Sequence, residues 1–187
     1  EIEDVLETKP IDPRLYLSPR LGVSFPVTTD SKFFFNYGHF RGRLEPNNIF
    51  NIDRVNAINS IGNPNHPMPR TISYELGYEQ NLFNKFLIRL TGYYKDISDQ
   101  PRQVDFVSGD GEVSYDIALP YDYEDIRGFE ATLRKHMGWV RGFANYTYMA
   151  RKSGDFGWGT YYENPVQQEQ YEISVRNYQY TPVPQPF

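Results

Sequence analysis

Six stretches of the chain alternate apolar and polar residues with a period of two, each over about 10 to 12 residues. A strand sends successive side chains to opposite faces, so such a stretch builds a sheet with two unlike sides. Soluble strands run to about 5–6 residues, whereas a tilted strand needs about 9–11 to cross a bilayer. In Leu15–Phe25, Pro19, Leu21, Val23 and Phe25 share one face, and Ser18, Arg20, Gly22 and Ser24 the other. In Ser31–Arg43, Phe33, Phe35 and Tyr37 alternate with Asn36 and Gly38, after a turn in "VTTDSK". Thr71–Leu82 opposes Ile72, Tyr74, Leu76 and Tyr78 to Ser73, Glu75, Gly77 and Glu79. Phe86–Ile97 opposes Phe86, Ile88, Leu90 and Tyr94 to Arg89, Thr91 and Lys95.

Pairing follows from parity. For the apolar faces of the third and fourth stretches to coincide, paired residue numbers must sum to an even value. A three-residue turn at Phe83, Asn84 and Lys85 satisfies this, with Asn84 suited to a left-handed conformation. The last two stretches lie in "DIRGFEATLRKHMGWVRGFANYTY". A two-residue loop at Met137 and Gly138 would set Leu133 opposite Gly142, Ala131 opposite Ala144 and Phe129 opposite Tyr146.

Between these hairpins the connections are long. Residues 44–70 are crowded with Asn and Pro, residues 98–121 hold a hairpin of their own around Gly109–Gly111, and residues 151–187 are rich in Gly, Pro and Tyr. Short turns thus alternate with long loops, the asymmetry of outer-membrane barrels. Aromatics make up 17% of the chain, with Tyr 16 and Phe 13, which together with scarce helix formers points to an all-β protein. No apolar run reaches the roughly 20 residues of a spanning helix, and no signal-peptide pattern opens the chain. The absence of Cys excludes disulfides and thiolate metal sites, and a net charge of −5 gives no basic footprint for nucleic acid.

The apolar face ends in Tyr37, Tyr74, Tyr94, Tyr146 and Tyr148 on the long-loop side. Rings in acyl chain with hydroxyls at the headgroups form an aromatic girdle. The apolar face then meets lipid, and Arg and Glu on the other face meet a wet lumen at little cost. Arg20, Asn36, Glu75, Glu79, Arg89, Glu130, Arg134 and Asn145 are the lumen-facing candidates for a substrate path, or for contact with an internal plug. The lumenal glycines would relax curvature or let a plug approach the wall.

Several segments resemble the β-barrel of TonB-dependent outer-membrane receptors: "LSPRLGVSFPV", "KFFFNYGHF", "ISYELGYEQNLF", "FLIRLTGYYKDISDQ", "DYEDIRGFEATLRK" and "GFANYTYM", in the family's order over about Tyr16 to Met149. The resemblance implies a barrel of about 22 strands around a plug. It also implies import of a scarce ligand such as a metal chelate, cobalamin or a glycan, with energy from the TonB complex. The plug, the coupling complex, the ligand and outer-membrane lipid are the partners it implies, and no cofactor. The fold expected is an antiparallel up-and-down sheet forming part of a large transmembrane barrel. It should have six strands, or eight with the outer hairpin. Residues 1–187 read as one partial barrel without plug or terminal strand, since the prolines in "TPVPQPF" obstruct a closing strand.

Other patterns carry little chemistry. Asp122, Glu124 and Asp125 lack a nearby His or nucleophile and read as a solvated rim. "SGDGE" reads as a turn rather than a calcium loop. His39, His66 and His136 lack ligand spacing, so no metal or catalytic site is expected. Residues 44–70 are the better place to look for ligand contact. The alternatives to a transport receptor are a plug-less porin-like barrel and a soluble β-sandwich that binds carbohydrate through its tyrosines.

Overall fold

The computed structural model describes residues 13–50 and 60–179. In chain order the strands are β1 (Arg20–Thr28), β2 (Ser31–Arg41), β3 (Ser60–Ile61), β4 (Arg70–Leu82), β5 (Phe86–Val107), β6 (Ser114–Lys135), β7 (Gly142–Asp155) and β8 (Thr160–Tyr162), with helices α1 (Pro46–Phe50) and α2 (Pro165–Gln179). They form two compact units. One holds residues 13–43, 67–100 and 122–155, the other 44–50, 60–66, 101–121 and 156–179.

The first unit is a single sheet layer in which β1, β2, β4, β5, β6 and β7 succeed one another as neighbours. Its apolar face is continuous because the registers keep parity. Val23, Phe35 and Leu76 align across three strands, as do Phe25, Phe33, Tyr78 and Leu90 across four. The turn at 83–85 has the expected three residues, with Leu82 opposite Phe86. Asn84 is left-handed there (φ 54°), and so is Phe83 (φ 55°), whose side chain is exposed. The β1–β2 turn is Thr29–Asp30, closed by a 2.7 Å bond between the Thr28 and Ser31 hydroxyls.

Several expectations are corrected. The first strand begins at Arg20 rather than Leu15. Pro19 has no N–H to give the ladder, and its carbonyl still accepts from His39 N. In the last hairpin Leu133 faces Ala144, Ala131 faces Tyr146 and Phe129 faces Tyr148. Residues 136–141 form the loop, six rather than two, and the register shifts by two residues. Because the side-chain period is also two, every residue keeps its face. Residues 98–121 are not a long loop with a small hairpin. They are the ends of two 22-residue strands joined by residues 108–113. The two extra strands are β3 and β8.

In the second unit β5 carries β8 on one side and β6 carries β3 on the other, both as parallel pairs. The tip of the β5–β6 hairpin closes through Ser108 N to Val113 O (2.8 Å) and Gly111 N to Ser108 O (2.9 Å), with Gly111 at φ 77°. Asp110 accepts from the Ser108 hydroxyl (2.5 Å) and from Glu112 N (3.0 Å). These bonds hold its carboxyl below the usual carboxylate range, the Ser108 hydroxyl contributing most. The tail expected to be irregular contains α2. Asn164 caps it through Val166 N (3.0 Å), and Tyr171 packs on Tyr162 (5.7 Å) and Trp158 (6.2 Å).

The two units bury different chemistry. The buried apolar side chains Leu44, Val104 and Ala118 all belong to the second. In the sheet layer the buried side chains are Ser31, Thr91 and Glu124, while Leu76 is 60% exposed and Leu90 48%. Among the described residues of this unit the apolar face is open, which is not the arrangement of a sandwich core.

Candidate functional site

Among the described residues the polar face of the sheet layer is where charge converges. Register places all eight lumen candidates on it: Arg20 opposite Gly38, Asn36 opposite Glu75, Glu79 opposite Arg89, Glu130 opposite Thr147, Asn145 opposite Thr132, and Arg134 opposite Phe143. They fall into three groups.

The first group surrounds a depression of about 260 Å³ floored by Gly22 and Gly38 and walled by Arg20, Asn36, Phe40, Ser73 and Glu75. Arg20 lies over the Phe40 ring, 4.6 Å from its centre. That contact holds the guanidinium on the wall and leaves its N–H groups open. The second group is an ion triad. Glu79 accepts from Lys32 (3.2 Å) and from Arg89 through Nε (2.9 Å) and Nη2 (2.5 Å). The Arg89 guanidinium also sits 5.6 Å from the Phe34 ring centre. The third group, Glu130, Arg134 and Asn145, is exposed, and no ion pair joins its members.

Two features of this face were not read from the sequence. Glu124 is buried and makes a two-point contact with Arg151, Nε to Oε1 at 2.5 Å and Nη2 to Oε2 at 2.6 Å. Pairing satisfies a carboxylate that would otherwise be costly to bury. Asp125, one residue on, points to the opposite face and accepts from the Tyr94 hydroxyl at 3.0 Å, so the three carboxylates at 122–125 share no site. The second feature corrects the reading of the glycines. A Cβ on Gly77 would enter the Phe34 ring, and one on Gly128 would stand 2.7 Å from the Tyr93 hydroxyl. The protein's own rings fill the space over these two glycines, so no plug is needed to explain them. The signal was present in the alternation of Gly with Phe34 and Tyr93 on adjoining polar faces, but which ring covers which glycine depends on register.

On the other face the tyrosines form the expected row. Tyr37 and Tyr74 lie 5.2 Å apart, Tyr74 and Tyr94 6.2 Å, and Phe129 lies 5.7 Å from both Tyr146 and Tyr148. Beyond them this face turns polar, at Asp96 on β5 and Arg127 on β6. Each large apolar side chain left in water forgoes about 1.5–3 kcal/mol, so a whole face of them requires an apolar solvent. A meander with a tyrosine-edged apolar face on one side and paired charges on the other is the wall of a membrane β-barrel.

The comparisons place it further. The family model of the TonB dependent receptor-like β-barrel matches residues 8–185, and the chain belongs to that family. It is an outer-membrane protein. One matching solved structure is the FrpB iron transporter from Neisseria meningitidis (F3-3 variant), with TM-score 0.55 and 15% identity. That match covers 75% of this chain and 20% of the FrpB chain, so this chain spans about a fifth of that protein and the likeness speaks for the fold. No curated protein matches the sequence.

Proposed function

We propose that the chain is part of the wall of an active-transport receptor rather than an enzyme, and that its charged face borders the path of an imported ligand. Residues 1–187 would be one partial barrel, the plug and closing strands lying outside it. The observation that supports this best is the depression between Arg20, Asn36 and Glu75. It offers a cation, an amide and a carboxylate beside the paired Lys32–Glu79–Arg89 group. Paired charges hold the wall's shape, while open ones can exchange partners with a plug or a passing ligand. The energy would come from the TonB complex acting through the plug.

A metal chelate is the ligand class to test first, because FrpB is an iron transporter. Cobalamin and glycans are the other classes. The experiment is growth of a strain lacking the gene on single limiting sources, an iron chelate, cobalamin or a glycan, with and without the coupling protein. Uptake that needs both the receptor and the coupling protein for one class supports the reading. Uptake that needs the receptor but not the coupling protein would favour the porin-like barrel instead.

A further inference from the structure

We propose that the depression between Arg20, Asn36 and Glu75 binds a short peptide with both termini free, its carboxylate on Arg20, its amide on Asn36 and its ammonium on Glu75. Register sets these three groups in that order across β1, β2 and β4, since Asn36 stands opposite both Gly22 and Glu75. Arg20 and Glu75 are of opposite sign, yet neither forms an ion pair among the described residues. Elsewhere on this face opposite charges meet directly, in Lys32–Glu79–Arg89 and in Arg151–Glu124. Here the guanidinium is drawn onto the Phe40 ring, and β2 separates it from the carboxylate. Gly22 and Gly38 place no side chain on the floor between them. A Cβ at Gly22 would stand 3.2 Å from Asn36 Oδ1, so the amide leans over that open floor. Lys95, opposite Ser73, sits 5.5 Å from the Tyr93 ring centre and does not line the depression.

Two opposite charges held apart around an open floor select a ligand that carries both. A simple anion would meet Glu75 as a like charge, and a simple cation would meet Arg20. A neutral ligand would leave both without a counter-charge. Two strand spacings across and two residues along put the roots of Arg20 and Glu75 about 12 Å apart. An extended dipeptide measures about 7 Å, and the two side chains reach across the remainder. The guanidinium fork matches a terminal carboxylate at two points. The inference rests on the proposed reading of this face as the border of a ligand path, and adds a ligand class to it.

The test uses the full-length protein in detergent, with dialanine as the probe and titration calorimetry as the readout. N-acetyl-dialanine lacks the ammonium and dialanine amide lacks the carboxylate. Each is expected to bind about tenfold more weakly, the low end for losing one charge-assisted hydrogen bond at an open site. Glu75→Gln should abolish the preference over the acetylated peptide and keep that over the amide, and Arg20→Gln should do the reverse. Lys85→Gln, at the 83–85 turn, should change nothing. Absence of binding at about 10 mM dialanine, where a site with a Kd of about 1 mM would be mostly filled, overturns the site. Equal binding of the three peptides, or variants that weaken all three alike, overturns it too. Folding of the variants is checked by the heat-dependent gel shift of the barrel. The transport reading is tested apart from this, by uptake. Coupling-dependent uptake of another ligand class without dialanine binding overturns the site alone. Dialanine binding with both preferences, but uptake that ignores the coupling protein, overturns the active-transport reading and leaves the site.

Discussion

Replacing Leu90 with arginine separates a lipid-covered face from a watered one. Leu90 is 48% exposed, aligned with Tyr78 on its neighbour, and flanked by Phe86 and Tyr94 at the two ends of the apolar face of β5. Each flank is four residues away, which at about 3.4 Å per residue and a tilt near 40° is roughly 10 Å along the bilayer normal. Leu90 therefore sits near the midplane, where an arginine on the lipid face costs about 2–4 kcal/mol. In water the same change at a half-exposed strand position would cost about 0.5 kcal/mol or less. The neighbouring Arg89 supplies the control, since β5 already tolerates arginine one residue away on the other face. Arg89→Leu breaks an exposed ion pair and should cost below about 1 kcal/mol. The assay is equilibrium unfolding by denaturant of the full-length protein in lipid vesicles. A Leu90→Arg protein within about 0.5 kcal/mol of the wild type would refute the assignment of faces.

Three further outcomes are expected. Gly77→Val forces a branched side chain into the Phe34 ring and should cost about 1–3 kcal/mol in the same vesicle assay, partly restored by adding Phe34→Ala. Cysteines at Ala131 and Tyr146 should cross-link on oxidation, and cysteines at Ala131 and Ala144 should not; the reverse would restore the two-residue loop. At the hairpin tip the Asp110 carboxyl is held below its ordinary range, so its contribution is present above the unfolded carboxylate pKa and is lost as pH falls through the folded value. Hydrogen exchange at Glu112 N should accelerate, relative to its intrinsic rate, on acidification below about pH 4, and Asp110→Asn should flatten that dependence.

Much of the wall was legible because its information is local. The strand faces, the three-residue turn at 83–85 and the tyrosine row all follow from a period of two and the parity of one hairpin. The eight candidates on the polar face were found the same way, yet their grouping was not. Arg20, Asn36 and Glu75 come from three strands, and only register brings them around one depression. In the last hairpin the local pattern is degenerate. Pairings of Leu133 with Gly142 and with Ala144 leave every side chain on the same face, so alternation alone cannot separate them.

The sequence by itself determined which residues share the apolar face and which the polar one, because side-chain direction in a strand is set residue by residue. Only the tertiary structure decided how far the strands run. Residues 101–107 and 114–121 continue β5 and β6 beyond the tyrosine row, and neighbours drawn from distant parts of the chain flank them, β8 on one and β3 on the other. It also decided that the space over Gly77 and Gly128 belongs to Phe34 and Tyr93, and that Glu124 is neutralised by Arg151. Those pairings join residues far apart in sequence, and a hydrogen-bonded ladder, not a local pattern, selects them.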